Sequence, residues 1–257
     1  TPEQYRFYQG DYAVQLVLGY MRRAVQQYNM IQDGDKIALA SKNCAHWAIS
    51  FLAAATRRCV AVPILPDFAP ETIAGLTLHS ESVVLFTETR MWENMDQSTM
   101  PNLKAAINVD DFSLLYAADK AYAEAAEKIE SSMPNVYGEE DKLSVTDYKF
   151  SSLDDLAIIN YTSGTTSSPK GVMLTFDNID ANIHAVSVGV PIFQPGICTM
   201  ILLPLHHVLP LVGSLVAPLV TEGCVAIAPS MSASDIMATM NNGKVALLIG
   251  VPRLFST

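Results

Sequence analysis

Residues 161–171 read Tyr-Thr-Ser-Gly-Thr-Thr-Ser-Ser-Pro-Lys-Gly. Hydroxyl side chains at Thr162, Ser163, Thr165 and Thr166 surround Gly164, and Lys170 closes the run behind Pro169. The apolar residues 156–160 in front of it read as a buried strand. A strand that empties into a glycine- and hydroxyl-rich loop gathers backbone N–H groups and hydroxyls in one concave place. An anionic polyphosphate fits such a place. Lys170 adds a compact, mobile positive charge for the outer phosphate. These residue types predict nucleotide chemistry, with Thr162, Ser163, Gly164, Thr165, Thr166 and Lys170 on the phosphates and a helix following the loop.

Two common nucleotide motifs do not fit. The Walker pattern needs a Gly, four residues, then Gly-Lys-Ser/Thr. Here Pro169 and Lys170 follow the four residues after Gly164, and Gly171 comes behind the lysine. The chain has no Gly-x-Gly-x-x-Gly, which argues against a Rossmann oxidoreductase. The segment resembles the signature loop of the adenylate-forming superfamily, which holds the acyl-CoA synthetases, luciferases and peptide-synthetase adenylation enzymes. That loop is close to Thr-Ser-Gly-Thr-Thr-Gly-x-Pro-Lys-Gly, and the chain conflicts with it only at Ser167. Residues 41–49, 60–66 (Val-Ala-Val-Pro-Ile-Leu-Pro) and 203–208 (Leu-Pro-Leu-His-His-Val) resemble further family segments in the family's order. The likeness is nearest to bacterial long-chain acyl-CoA synthetases and runs from about residue 33 to residue 255.

The resemblance implies an activity and a set of ligands. A carboxylate attacks the α-phosphate of ATP and releases pyrophosphate, and a thiol, usually coenzyme A, then displaces AMP. ATP, Mg²⁺ and coenzyme A are therefore expected, with a fatty acid or another carboxylic acid as substrate. His207 matches the family histidine beside the carboxylate and the acyl tunnel, where it orients the carboxylate or gates the tunnel. His206, His46 and His184 are expected to be structural, as are Trp47 and Phe51. Two other readings stay open: an enzyme adenylating an amino acid or aryl acid, and a degenerate, non-catalytic binding relative. The departures favour the latter. Ser167 replaces a family Gly, and Arg57-Arg58 stands where the family has a small residue and Gly. The family's Tyr-Gly-x-Thr-Glu segment, ribose-binding Asp, hinge and small C-terminal domain do not occur before Thr257. The expectation is an N-terminal fragment, inactive alone, with no catalytic residue of its own and the catalytic Lys beyond Thr257.

Composition narrows the setting. The chain has 257 residues, 50% hydrophobic and 16% charged, which suffices for a large core. A net charge of -10 disfavours nucleic acid as a partner. Cys44, Cys59, Cys198 and Cys224 are widely spaced among apolar neighbours, so free thiols and a cytoplasmic setting are expected. Residues 1–12 carry charges and no apolar core, unlike a signal peptide. Residues 181–221 lack Asp, Glu, Lys and Arg, but five prolines and His206-His207 interrupt them. A buried strand, loop and helix are expected there instead of a membrane span, with peripheral attachment to the inner membrane face left open.

Strands and helices alternate, which predicts α/β layering with parallel or mixed sheets flanked by helices, as in an incomplete adenylate-forming N-terminal domain. Strands are expected over 36–40, 59–64, 83–87, 107–109, 200–203, 223–228 and 245–249. Helices are expected over 44–56 with Asn43 as N-cap, 71–79 opened by Pro70, 117–130, 177–189 and 209–220. The polar stretch 131–152 is the expected boundary between a first α/β subdomain, 1–150, and a second, 151–257, that carries the phosphate loop.

Overall fold

The computed structural model describes residues 6–7, 31–124, 127, 152–162, 169–189 and 192–251. In chain order come β1 (Arg6–Phe7), β2 (Lys36–Ala40), α1 (Ala45–Thr56), β3 (Val60–Pro63), α2 (Pro70–His79), β4 (Ser82–Thr87), β5 (Ala105–Asn108) and β6 (Leu114–Ala117). They are followed by β7 (Leu156–Thr162), β8 (Lys170–Thr175), α3 (Phe176–Gly189), β9 (Cys198–Ile201), β10 (Cys224–Ile227), α4 (Ala233–Gly243) and β11 (Leu247–Leu248). These elements form two compact units.

The first unit is built on a seven-stranded sheet in the order β6-β5-β4-β2-β3-β7-β8. β5, β4, β2, β3 and β7 run parallel, and β6 and β8 join antiparallel at the two edges. The sequence of β2 explains its central place. Ile37 and Leu39 point to one face and Ala38 and Ala40 to the other, and all four are fully buried. A strand apolar on both faces must be covered on both, which is the condition of a parallel sheet under helices. One cover is α2, whose Ile73, Ala74 and Leu76 pack with Ala38, Val62 and Leu85. Pro70 starts that helix where a missing N–H costs nothing. In α1, Trp47 and Phe51 are one turn apart, buried, and stacked with ring centroids 5.9 Å apart.

The second unit holds a four-stranded sheet in the order β1-β10-β9-β11, with β10, β9 and β11 parallel and β1 antiparallel at one edge. The charge-free stretch supplies β9 and a helical run in three parts: Val208–Pro210, a wider π-helical segment Leu211–Val216, and Ala217–Val220. Pro218 has no N–H to return to the carbonyl of residue 214, and the π segment lies directly before it. Gly213 allows close approach, since a Cβ there would lie 2.9 Å from Ile249 Cδ1. Among the described residues no helix is long and apolar enough to cross a membrane. The four cysteines are free, and Cys59, Cys198 and Cys224 are buried.

Several sequence expectations need correction. A helix was expected over 117–130, but Ala117 ends the edge strand β6, and helix begins at residue 120. After the signature loop the chain enters a strand, β8, before any helix. The antiparallel return of β8 along β7 completes the first unit's sheet, and that unit runs on to Phe176. Asn43–Ala45 group with the second unit, and the Asn43 side-chain amide bonds the Leu203 carbonyl and the Leu205 N–H. The helix α4 was not anticipated. Its Ser232 hydroxyl accepts the Asp235 N–H, an N-cap signal that was readable in the sequence.

Candidate functional site

β7 carries the apolar run Leu156-Ala-Ile-Ile-Asn-Tyr-Thr162 into the sheet beside β3. β8 pairs with it in register, Asn160 opposite Val172, Tyr161 opposite Gly171 and Thr162 opposite Lys170. Thr162 and Lys170 are the last rung of this ladder, and the Thr162 hydroxyl reaches the Lys170 carbonyl at 3.5 Å. Both are exposed. Residues 163–169 connect the two ends. Ser163, Gly164, Thr165, Thr166 and the divergent Ser167 fall outside the described residues. The hairpin leaves the sheet at the carboxyl end of β7, the edge at which parallel α/β sheets bind ligands.

Below that rung the hairpin is locked into the core. Tyr161 is buried in the cluster formed with α2. Its Oη lies 2.7 Å from Nδ1 of His79, the last residue of α2, and the rings meet edge to face. Burial pushes the phenol above its ordinary pKa, partly offset by a hydrogen bond with Ser80. Gly171 sits inside β8, where an added Cβ would lie 3.0 Å from Ile159 Cγ2 and 3.3 Å from Tyr161 Cε1. Its missing side chain makes room for the Tyr161 ring.

The second unit presents the histidine pair. His206 is buried and His207 exposed, with ring centroids 4.3 Å apart. His207 stands just before the helical turn Val208–Pro210 in extended conformation. Its N–H donates to the Pro204 carbonyl at 3.2 Å, and its own carbonyl accepts from Leu211 at 3.1 Å. Asn43 reaches the same segment. Its Nδ2 donates to the Leu203 carbonyl at 2.8 Å and its Oδ1 accepts from the Leu205 N–H at 2.9 Å. Sequence reasoning missed both Asn43 and His79, because each partner lies far along the chain. His46 holds the Val109 carbonyl at 2.8 Å, and His184 is exposed on α3.

Arg58 also takes a distinct conformation. Its φ is +58°, a left-handed value that favours glycine. Its guanidinium bridges Asp33 at 3.0 Å and Asp155 at 3.4 Å, and its carbonyl accepts the Gly34 N–H at 2.8 Å. These groups line a cavity of about 380 Å³ with Lys36 and Val60. The cavity opens at the amino ends of β2, β3 and β7, the edge opposite the hairpin.

Residues 26–257 match the AMP-binding enzyme family. Long-chain-fatty-acid–CoA ligase 5 of Rattus norvegicus is 32% identical over 182 residues, covering 66% of this chain and 26% of the relative. 4-Coumarate–CoA ligase 1 of Arabidopsis thaliana is 24% identical over 225 residues, covering 86% of this chain and 39% of the relative. Crystalline ATP-bound MatB from Rhodopseudomonas palustris shares the fold with a TM-score of 0.71 at 20% identity, over 95% of this chain and 45% of MatB. The chain thus spans less than half the length of these relatives.

Proposed function

The chain belongs to the AMP-binding enzyme family, and on that premise we propose that it supplies the phosphate-holding and carboxylate-facing parts of an ATP-dependent fatty acid–CoA ligase. In the proposed reaction a carboxylate oxygen bonds to the α-phosphorus of ATP and pyrophosphate departs. The coenzyme A sulfur then bonds to the acyl carbon, and AMP departs. The work asked of the protein is positioning and charge stabilisation. The observation that carries this reading is the terminal rung Thr162–Lys170, which fastens both ends of the signature segment at the carboxyl edge of the sheet. A fixed rung presents one hydroxyl and one ammonium to the same anion.

In this reading Thr162, Ser163, Thr165 and Thr166 donate hydroxyl hydrogen bonds to the β- and γ-phosphates, with Gly164 allowing close approach. Lys170 follows the departing pyrophosphate. His207, exposed and tied through its backbone to Pro204, faces the carboxylate. Bound Mg²⁺ would neutralise phosphate charge. Among the described residues no group of three or more His, Cys, Asp or Glu converges to hold a metal. A cytoplasmic setting belongs to the same reading and is supported by cysteines that form no disulfide.

The 32% identity to a long-chain ligase supports a fatty acid over an aryl acid. The aryl reading is favoured by the longer, weaker match to 4-coumarate–CoA ligase 1. Pyrophosphate release by the complete gene product, with ATP, Mg²⁺, coenzyme A and matched panels of fatty and aryl acids, tests both. Turnover with long-chain fatty acids is expected. Turnover restricted to aryl acids would replace the substrate, and no turnover with any acid would remove the ligase reading.

A further inference from the structure

We infer that Asn43 is a positioning residue for His207, its side-chain amide serving as a splint across Pro204 that sets the direction in which the His206-His207 pair leaves the sheet. This role rests on the reading that His207 faces the carboxylate.

The geometry begins with the backbone. β9 ends at Ile201, and the chain continues through Leu202, Leu203, Pro204 and Leu205 before the histidines. Leu205 is fully buried, so its N–H must find a partner within the protein. Pro204 offers no N–H and interrupts any regular ladder. The Leu203 carbonyl and the Leu205 N–H, one on each side of the proline, therefore need an outside donor and an outside acceptor. A primary amide carries both, side by side, on a single rigid plane. Asn43 meets them at 2.8 and 2.9 Å, the geometry of a peptide group in a neighbouring strand.

The next link is short. The Pro204 carbonyl, between the two splinted groups, accepts the His207 N–H, and the His207 carbonyl receives the Leu211 N–H. A rotation of the Leu203–Leu205 segment thus turns the His207 backbone with it. Asn43 lies 160 positions before Leu203, so no local propensity could replace this support. Aspartate at 43 keeps the acceptor for Leu205 but sets a carboxylate oxygen against the Leu203 carbonyl.

Three measurements test the splint. In the unmodified chain, the Leu205 amide should exchange with deuterium as slowly as amides of β9. Fast exchange there overturns the proposal without any variant. In Asn43→Asp, the His207 imidazole ¹H–¹⁵N signals, assigned by their loss in His207→Ala, should move, while the His184 signals stay. In the complete gene product, Asn43→Asp should raise the KM for the fatty acid about tenfold, the loss of one buried hydrogen bond, and leave the KM for ATP within about twofold. Unmoved His207 signals in a folded variant, or an equal rise in both KM values, overturns the positioning role. If His207→Ala leaves the fatty-acid KM unchanged while Asn43→Asp still moves the His207 signals, the splint stands and the carboxylate role of His207 falls.

Discussion

Tyr161 and His79 stand 82 positions apart in sequence and 2.7 Å apart between Oη and Nδ1. The pair ties the root of the signature hairpin to the last residue of α2. Tyr161 precedes Thr162 directly and faces Gly171 across the ladder, so both strands of the hairpin are held by one ring.

Tyr161→Phe keeps the ring over Gly171 and removes only the hydroxyl. A net cost of about 0.5–1.5 kcal/mol in stability is expected. ATP affinity should fall as well, because the rung above the ring loses its anchor. Chemical denaturation and calorimetric titration of ATP measure the two effects. Unchanged values in both would show the hydrogen bond to be incidental.

Lys170→Ala should leave folding intact, since the side chain is exposed at the end of an edge strand. Pyrophosphate release by the complete gene product should slow by the equivalent of about 1.5–3 kcal/mol, the worth of a charge-assisted hydrogen bond. An unchanged rate with intact stability takes Lys170 out of the phosphate site.

At residue 58 two effects oppose each other. A left-handed non-glycine residue costs about 1–2 kcal/mol, and the exposed bridges to Asp33 and Asp155 return about 0.2–1 kcal/mol each. Arg58→Ala loses the bridges and keeps the strain. Arg58→Gly loses the bridges and the strain together. The Gly variant should therefore be about 1 kcal/mol more stable than the Ala variant by denaturant melting. Equal stabilities would mean that the backbone at this position carries no strain.

Burial, then the charges of Asp35 and Asp33, push the Cys59 thiol from an ordinary 9.0 up to about 12, with Arg57 opposing. A raised acid keeps its proton in the folded state after the unfolded chain has lost it. Its contribution is whole below about pH 9 and declines as pH rises toward about 12, by at most about 1.4 kcal/mol per unit. The stability gap between the unmodified chain and Cys59→Ala should narrow over that range. A gap independent of pH would contradict the assigned cause. Iodoacetamide should also leave Cys59 unmodified at neutral pH until the protein unfolds.

The central strands were legible because apolarity on both faces needs no distant information. Residues 36–40 were bounded as observed, and Pro70 announced α2. β8 was not legible. Val172 and Met173 are exposed on an edge strand, so its residues carry neither strict alternation nor a buried run, and its identity as a strand comes from pairing with β7. The 209–220 helix was foreseen, but not its π segment, which answers to Pro218 and to the approach of Ile249 on Gly213. Within the candidate site, Thr162 and Lys170 could be singled out from type and spacing. Asn43 looked like an N-cap because that is the commonest use of Asn before a helix, and only the folded chain brings Leu203 and Leu205 to it.

The pairing of β7 with β8 has a kinetic consequence. Their union closes only residues 163–169, whereas seating β7 beside β3 brings Ile158 next to Ala61, about a hundred positions back. Closure entropy grows with the logarithm of the loop, and hairpins form in about 1–10 μs. The signature hairpin is therefore the cheap, local step, and its docking on β3 is the slow one. Substitutions at the Thr162–Lys170 rung, formed before docking, should chiefly retard refolding, while those at the β3–β7 junction should divide between slower refolding and faster unfolding. The polypeptide thus makes its most chemically loaded segment early and spends its search time finding the place to put it.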